Sequence, residues 1–94
     1  MTQRDLYVEK MKLQLDELNA KMTELEAQAH KAKDDARDRY TQEIRKLRHH
    51  SAEALAKLDQ VKASSADTWA TMVADMEKLR DAFTHSFHYF KSQV

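Results

Sequence analysis

The sequence predicts an all-α fold, a coiled coil or small helical bundle, and three observations predict it. Residues with high helix propensity dominate the 94-residue chain. Apolar side chains recur in steps of three and four, which is the spacing of one helix face. The sequence also contains no Gly or Pro to interrupt a helix, and no apolar-polar alternation of the kind that marks strands. We therefore predict one coiled-coil domain over residues 1–94.

The first predicted element is a long, heptad-patterned helix over about residues 3–62. Its apolar seam continues through a stretch of alanines near the middle, where two successive steps of four residues form a stutter that locally unwinds a left-handed supercoil. The seam positions are Met11, Leu15, Leu18, Met22, Leu25, Ala29, Ala32, Ala36, Tyr40, Ile44, Leu47, Ser51, Ala54, Leu58 and Val61.

The second element is a shorter helix over about residues 65–91, after a candidate break at 62–66. Ser64 and Asp67 have the spacing of a capping box, which favours a helix start there. No residue enforces a stop, however, so two arrangements remain open. The two helices form either a hairpin or a near-continuous rod.

Neither arrangement buries the seam within one chain, because the shorter helix covers less than half of the longer one. We therefore expect a homo-oligomer, either a dimer or a larger bundle. Its bulkiest apolar side chains lie in the C-terminal third, which we expect to anchor it. The predicted oligomer core consists of Met11, Leu15, Leu18, Met22, Leu25, Ile44, Leu47, Leu58, Val61, Trp69, Met72, Met76, Leu79, Phe83, Phe87 and Phe90.

Composition excludes several classes of function. Without Cys the chain has no thiolate metal or redox site, and without Gly it has no phosphate-binding loop. No nucleophile, base and acid can be grouped into a pocket, so we predict no catalytic residues, no cofactor and no enzyme. Asp81, His85 and His88 share a helix face and are the candidate metal ligands. A surface histidine pair is the commoner explanation of this pattern.

Charge and hydropathy bear on the partners. The 16 acidic and 16 basic residues balance, which argues against a general affinity for nucleic acid. The basic cluster of Arg45, Lys46, Arg48, His49 and His50 has no interleaved aromatic residues for base stacking. The sequence has no signal peptide and no membrane-spanning run, so we expect a cytoplasmic protein.

An aromatic C-terminal face supports an alternative, in which the chain binds a lipid surface as a peripheral amphipathic helix. That face comprises Trp69, Phe83, Phe87, Tyr89 and Phe90.

The chain resembles a family of short bacterial coiled-coil proteins of the stress response, which are largely uncharacterised. The resemblance spans nearly the whole sequence and is carried by Tyr7, Met11, Leu15, Leu18, Ala29, Ala32, Asp35-Ala36-Arg37, Tyr40, Ala63-Ser64-Ser65-Ala66-Asp67, Trp69, Leu79, Ala82 and Phe83. It implies a role in stress tolerance through protein or surface interactions and brings no catalytic residues. We expect a homo-oligomeric interaction or scaffold protein, whose partners are itself and other proteins. Lipid-surface binding and histidine-based metal binding are the alternatives.

Overall fold

The computed structural model describes residues 2–32 and 34–93, with only the backbone given for residues 34 and 35. Within this part of the chain there is no strand. The helices are α1 (Gln3–His30), α2 (Asp34–Lys62) and α3 (Trp69–Gln93). The predicted all-α fold is confirmed, and it takes the form of a three-helix bundle.

The helices run up, down and up. α1 and α2 are antiparallel, with Asn19 beside Ser51 and Glu26 beside Arg48. α2 and α3 contact each other in the same antiparallel sense, so α1 and α3 are parallel. The bundle measures 51 × 20 × 17 Å, and α2 makes most of its interhelical contacts.

α1 begins at a capping box that fixes its first turn. The Asp5 backbone N–H donates to the Thr2 hydroxyl at 3.2 Å, and the Thr2 backbone N–H donates to the Asp5 carboxylate at 3.3 Å. This exchange pairs backbone donors that a helix start otherwise leaves unpaired. The Asp5 charge also complements the positive end of the helix dipole. α1 therefore starts where the sequence predicts.

The predicted long helix over 3–62 is wrong, because the chain turns back after His30. α1 ends with backbone hydrogen bonds that span three residues instead of four. They run from Lys31 N–H to the Gln28 carbonyl (3.1 Å) and from Ala32 N–H to the Ala29 carbonyl (3.0 Å). Such bonds tighten a last helical turn without a glycine. The near-continuous rod is excluded for the same reason.

Burial explains this turn. A rod leaves the seam in water, whereas a hairpin buries it, and each large apolar side chain gains about 1.5–3 kcal/mol on full burial. Interrupting a helix over a few residues costs less, because it gives up only a few backbone hydrogen bonds, each with a net contribution of about 0.5–1.5 kcal/mol. The turn also falls in the alanine stretch, where the seam has the least apolar area to lose.

The break predicted at 62–66 is present, although α3 begins later, at Trp69. Ser64 does not cap α3, because its buried hydroxyl donates back to the Val61 carbonyl at 2.7 Å and closes the end of α2. The first turn of α3 is held instead by Thr68, whose carbonyl accepts from Met72 N–H at 3.0 Å.

The predicted core positions all lie in the interior of this single chain. Those that are buried are Met11, Leu15, Met22, Leu25, Leu47, Leu58, Val61, Met76, Phe83, Phe87 and Phe90. Those that are partly buried against them are Leu18, Ile44, Trp69, Met72 and Leu79. Ala54 is fully buried as well, and Ser51 is buried with its hydroxyl donating to the Asn19 side chain at 2.6 Å.

The chain thus covers its own seam, and the argument that only an oligomer could cover it was wrong. That argument depended on one long and one short helix. The turn at Lys31–Ala32 gives three helices of comparable length instead, and α2 lies between the other two. Oligomer formation itself stays a prediction.

Candidate interaction surface

The face of α1 opposite the core carries an apolar stripe. Leu6 and Leu13 lie seven residues apart and are 45% and 61% exposed. Ala20 and Ala27 continue this spacing and are exposed as well. Seven residues turn a helix by nearly two full rotations, so the four side chains lie in one row. We call these four residues the outer stripe.

Acidic side chains border the outer stripe on both edges. The exposed carboxylates are those of Glu9, Asp16, Glu17 and Glu24. Asp16 is paired with Lys12 at 2.7 Å, and Lys10 and Lys21 are exposed on the same side of α1 as Glu17 and Glu24. Two large apolar side chains therefore project from a helix face with a small excess of acidic over basic residues.

One end of the outer stripe adjoins Trp69, the first residue of α3. The Trp69 indole is partly buried, with the Tyr7 ring edge-on to it at 5.6 Å between centroids and 77° between planes. The Arg4 guanidinium carbon lies 5.6 Å from the indole centroid, within the range of a cation–π contact. We call Arg4, Tyr7 and Trp69 the Trp69 corner.

Two shallow cavities flank the Trp69 corner. One, of about 410 Å³, is lined by Thr2, Gln3, Arg4, Ala66 and Trp69. The other, of about 320 Å³, is lined by Gln3, Leu6, Tyr7, Lys10 and Trp69. Since Leu6 belongs to both the outer stripe and the second cavity, the corner and the stripe form one continuous surface.

Two polar atoms of the corner are buried without a partner. Neither Arg4 Nε nor Tyr7 Oη has a hydrogen bond to any residue that the structure describes. Burial raises the pKa of the Tyr7 phenol above its ordinary value of 10.0, the negative charge of Glu77 raises it further, and Arg80 opposes the shift. Buried polar atoms without a hydrogen bond are rare in native proteins, so the Trp69 corner is a place where the hydrogen bonding of the bundle is incomplete.

The aromatic residues that a lipid-surface function requires point inward. Phe83 and Phe90 are completely buried, and Phe87 is 4% exposed. Tyr89, at 54% exposure, is the outward-facing member of that set. In the folded bundle the three phenylalanines of this face are therefore core, Trp69 is partly buried, and lipid-surface binding stays a prediction.

The candidate metal ligands Asp81, His85 and His88 are all exposed on α3. Asp81 accepts hydrogen bonds from the Arg80 guanidinium at 3.0 and 3.1 Å. Over the described residues, no group of three or more histidines and carboxylates is arranged to hold a metal ion.

Three members of the basic cluster on α2, Lys46, Arg48 and His49, contact carboxylates within the chain. Arg48 donates two bonds to the Glu26 carboxylate, at 2.7 and 2.9 Å, and this contact raises the pKa of the Arg48 guanidinium. His49 contacts the Glu53 carboxylate, and the Lys46 ammonium lies 3.5 Å from the Glu43 carboxylate. An acidic residue of α1, Glu26, thus meets a basic residue of α2, Arg48, inside one chain.

In the described part of the chain, no helix combines the length and the apolar character needed to cross a membrane. No protein-family model, curated protein or solved structure matches the chain. The resemblance to bacterial stress-response coiled-coil proteins therefore stays a prediction.

Proposed function

We propose that this chain is a non-enzymatic interaction protein that binds a helix of a partner protein along the outer stripe and the Trp69 corner. The observation that carries the proposal is the position of Leu6 and Leu13. They lie in register on the outer face of a helix whose inner face is already filled by core residues. The setting we propose is the stress response in the bacterial cytoplasm, as the resemblance implies.

Charge specifies the partner. A helix that docks on the outer stripe places its flanking residues against the carboxylates of Glu9, Asp16, Glu17 and Glu24. Basic flanks are attracted by this edge and acidic flanks are repelled, which favours one class of partner over the other. We therefore expect an amphipathic helix with an apolar row and Lys or Arg on both sides.

The sizes of the side chains along the outer stripe also favour the docking of a helix. The two leucines supply apolar area at one end, and Ala20 and Ala27 allow a second helix to approach closely at the other. A partner side chain that reaches past Leu6 enters the cavity of about 320 Å³ beside Trp69. Helix-in-groove recognition uses anchors at this heptad spacing.

The test uses two synthetic helical peptides with the same leucine heptads, one flanked by Lys and one by Glu. Since Trp69 is the only tryptophan, its emission reports binding at the corner directly. We expect the Lys peptide to bind, to shift Trp69 emission to the blue, and to bind less tightly as salt is raised. The Glu peptide should bind at least tenfold more weakly.

The matched variants are Leu6→Gln with Leu13→Gln, and Tyr89→Gln as an exposed apolar control on α3. Full burial of a leucine is worth about 1.5–3 kcal/mol, so loss of the two exposed leucines that docking covers should weaken binding by about tenfold or more. Tyr89→Gln should leave the affinity unchanged. Equal affinity of the double variant and the unaltered protein for the Lys peptide would reject the proposed surface.

A further inference from the structure

We propose that two copies of this chain exchange α1, so that the turn after His30 straightens and each α1 docks on the α2 and α3 of the other copy. In the exchanged dimer, α1 and α2 of one chain form one continuous helix over residues 3–62, about 90 Å long. The Trp69 corner is then completed between chains, because Arg4 and Tyr7 come from one copy and Trp69 from the other. This inference depends on the turn and the helix register, and is independent of the partner helix proposed above.

The apolar seam is the first argument. It continues through the turn in steps of three and four, at Met22, Leu25, Ala29, Ala32 and Ala36. A continuous helix therefore presents a complete core face across the turn. A hairpin connection has no need of this pattern, since its residues leave the helix.

Backbone geometry at the turn is the second argument. Lys31 has φ −88° and ψ −3°, which lies within the right-handed helical region, and no described residue has a positive φ. Helices commonly end at a glycine in the left-handed conformation or shortly before a proline. α1 has neither signal at its end, and Lys31 itself needs little rotation to continue the helix.

The contacts that hold α1 can all be remade by a second copy. They are interhelical, and they include Glu26 with Arg48, Asn19 with Ser51, and Tyr7 with Trp69. α1 makes few contacts with α3 compared with those between α2 and α3, so undocking α1 leaves a paired α2 and α3. Exchange of an intact element is a low-cost route to a dimer because it preserves the native contacts.

Register provides the third argument. When the pairing of Asn19 with Ser51 and of Glu26 with Arg48 is extended past the turn, the two-fold axis falls within residues 35–37, with Ala36 at the midpoint. Ala32 of one copy then lies near Tyr40 of the other, so a small side chain meets a large one. The residues newly paired at the two-fold axis thus include seam residues.

The direct test is a disulfide that distinguishes the two topologies. Asn19→Cys with Ser51→Cys joins two short side chains that are hydrogen-bonded at 2.6 Å between α1 and α2, in a chain that has no other cysteine. The protein is refolded at millimolar concentration, the dimer is isolated by size exclusion with light scattering, and both fractions are oxidised. We expect the monomer to close within the chain and the dimer to give covalent dimers on a non-reducing gel.

A glycine pair tests the role of the turn. Ala32→Gly penalises the continuous helix in both chains of a dimer, so the dimer dissociation constant should rise by about 30-fold. Ala63→Gly makes the same substitution in the other connection and should leave that constant unchanged. Leu6→Gln with Leu13→Gln should also leave the dimer intact, which separates this inference from the partner surface.

Two results would overturn the exchange. One is a chain that stays monomeric after refolding at millimolar concentration. The other is a dimer in which the disulfide of Asn19→Cys with Ser51→Cys stays within each chain, since that dimer consists of two intact hairpins.

Discussion

Replacement of Tyr7 by Phe should stabilise the bundle. The Tyr7 hydroxyl is buried and has no hydrogen-bond partner among the described residues, while the ring lies edge-on to Trp69. Tyr7→Phe keeps the ring contact and removes only the unpaired oxygen. Burying an unpaired hydroxyl costs about 1–3 kcal/mol in protein mutational series, so we expect a gain of about 1 kcal/mol.

A second tyrosine provides the matched control. Tyr40 is also edge-on to an aromatic ring of α3, at 5.8 Å from Phe90, but its hydroxyl donates to the Gln93 carbonyl at 2.7 Å. Tyr40→Phe removes a made hydrogen bond, so it should destabilise the bundle by about 0.5–1.5 kcal/mol. Two identical substitutions in similar ring geometries should therefore change stability in opposite directions.

The measurement is urea unfolding followed by circular dichroism, with thermal melts alongside. For a chain of this size a change of 1 kcal/mol shifts the melting temperature by roughly 4–8 °C. If Tyr7→Phe proves less stable than the unaltered protein, the Tyr7 oxygen has a partner in solution and the reasoning fails.

The pKa of Tyr7 adds a pH signature. Because that pKa is raised above 10.0 in the folded state, the unfolded chain loses the phenol proton first as the pH rises. Well below pH 10 the phenol is protonated in both states and contributes no pH dependence. Above pH 10 the unaltered protein loses stability through this group, and Tyr7→Phe does not, so the gap between them should widen with pH.

Two further substitutions test the core and the charge pairing. Phe83→Ala with Phe87→Ala should abolish the cooperative thermal transition, because each buried Phe contributes about 3–5 kcal/mol against a typical total stability of about 5–15 kcal/mol; an intact transition would contradict the burial of these rings. Arg48→Ala should lower the urea midpoint more than Lys12→Ala, because the Glu26 side chain that Arg48 binds is only 12% exposed, whereas the Asp16 side chain that Lys12 binds is 53% exposed. Lys12→Ala should cost about 0.5 kcal/mol or less, and equal effects of the two changes would show that the Glu26 contact is absent in solution.

Local pattern predicted most of the helical structure and the core. Positions such as Leu15, Met76 and Phe83 are buried as their spacing predicts, and the break near Ser64 is present. The turn at Lys31 was not predictable from local signals, since the residues there favour helix and the seam runs on past them. The turn results from tertiary packing, because burial of the seam within one chain outweighs the cost of interrupting one helix.

The candidate surface was only partly visible in the sequence. Leu6, Leu13, Ala20 and Ala27 form a second heptad series opposite the first, a signal that is available once the core face is known. The sequence did not predict that the Tyr40 hydroxyl has a hydrogen-bond partner and that the Tyr7 hydroxyl has none among the described residues. Both outcomes depend on which atoms α3 brings to each ring, and sequence spacing carries no information about that.

The order in which the helices pack has a consequence for folding kinetics. α2 contacts both neighbours in sequence, whereas α1 and α3 touch little, so most native contacts join helices that adjoin along the chain. Chains with such local contacts fold in microseconds to milliseconds, and without proline there is no slow peptide-bond step in these residues. Closure of the α1–α2 hairpin then competes kinetically with encounter of a second unfolded chain. In dilute solution the hairpin closes first, and only crowded, freshly unfolded chains meet each other in time.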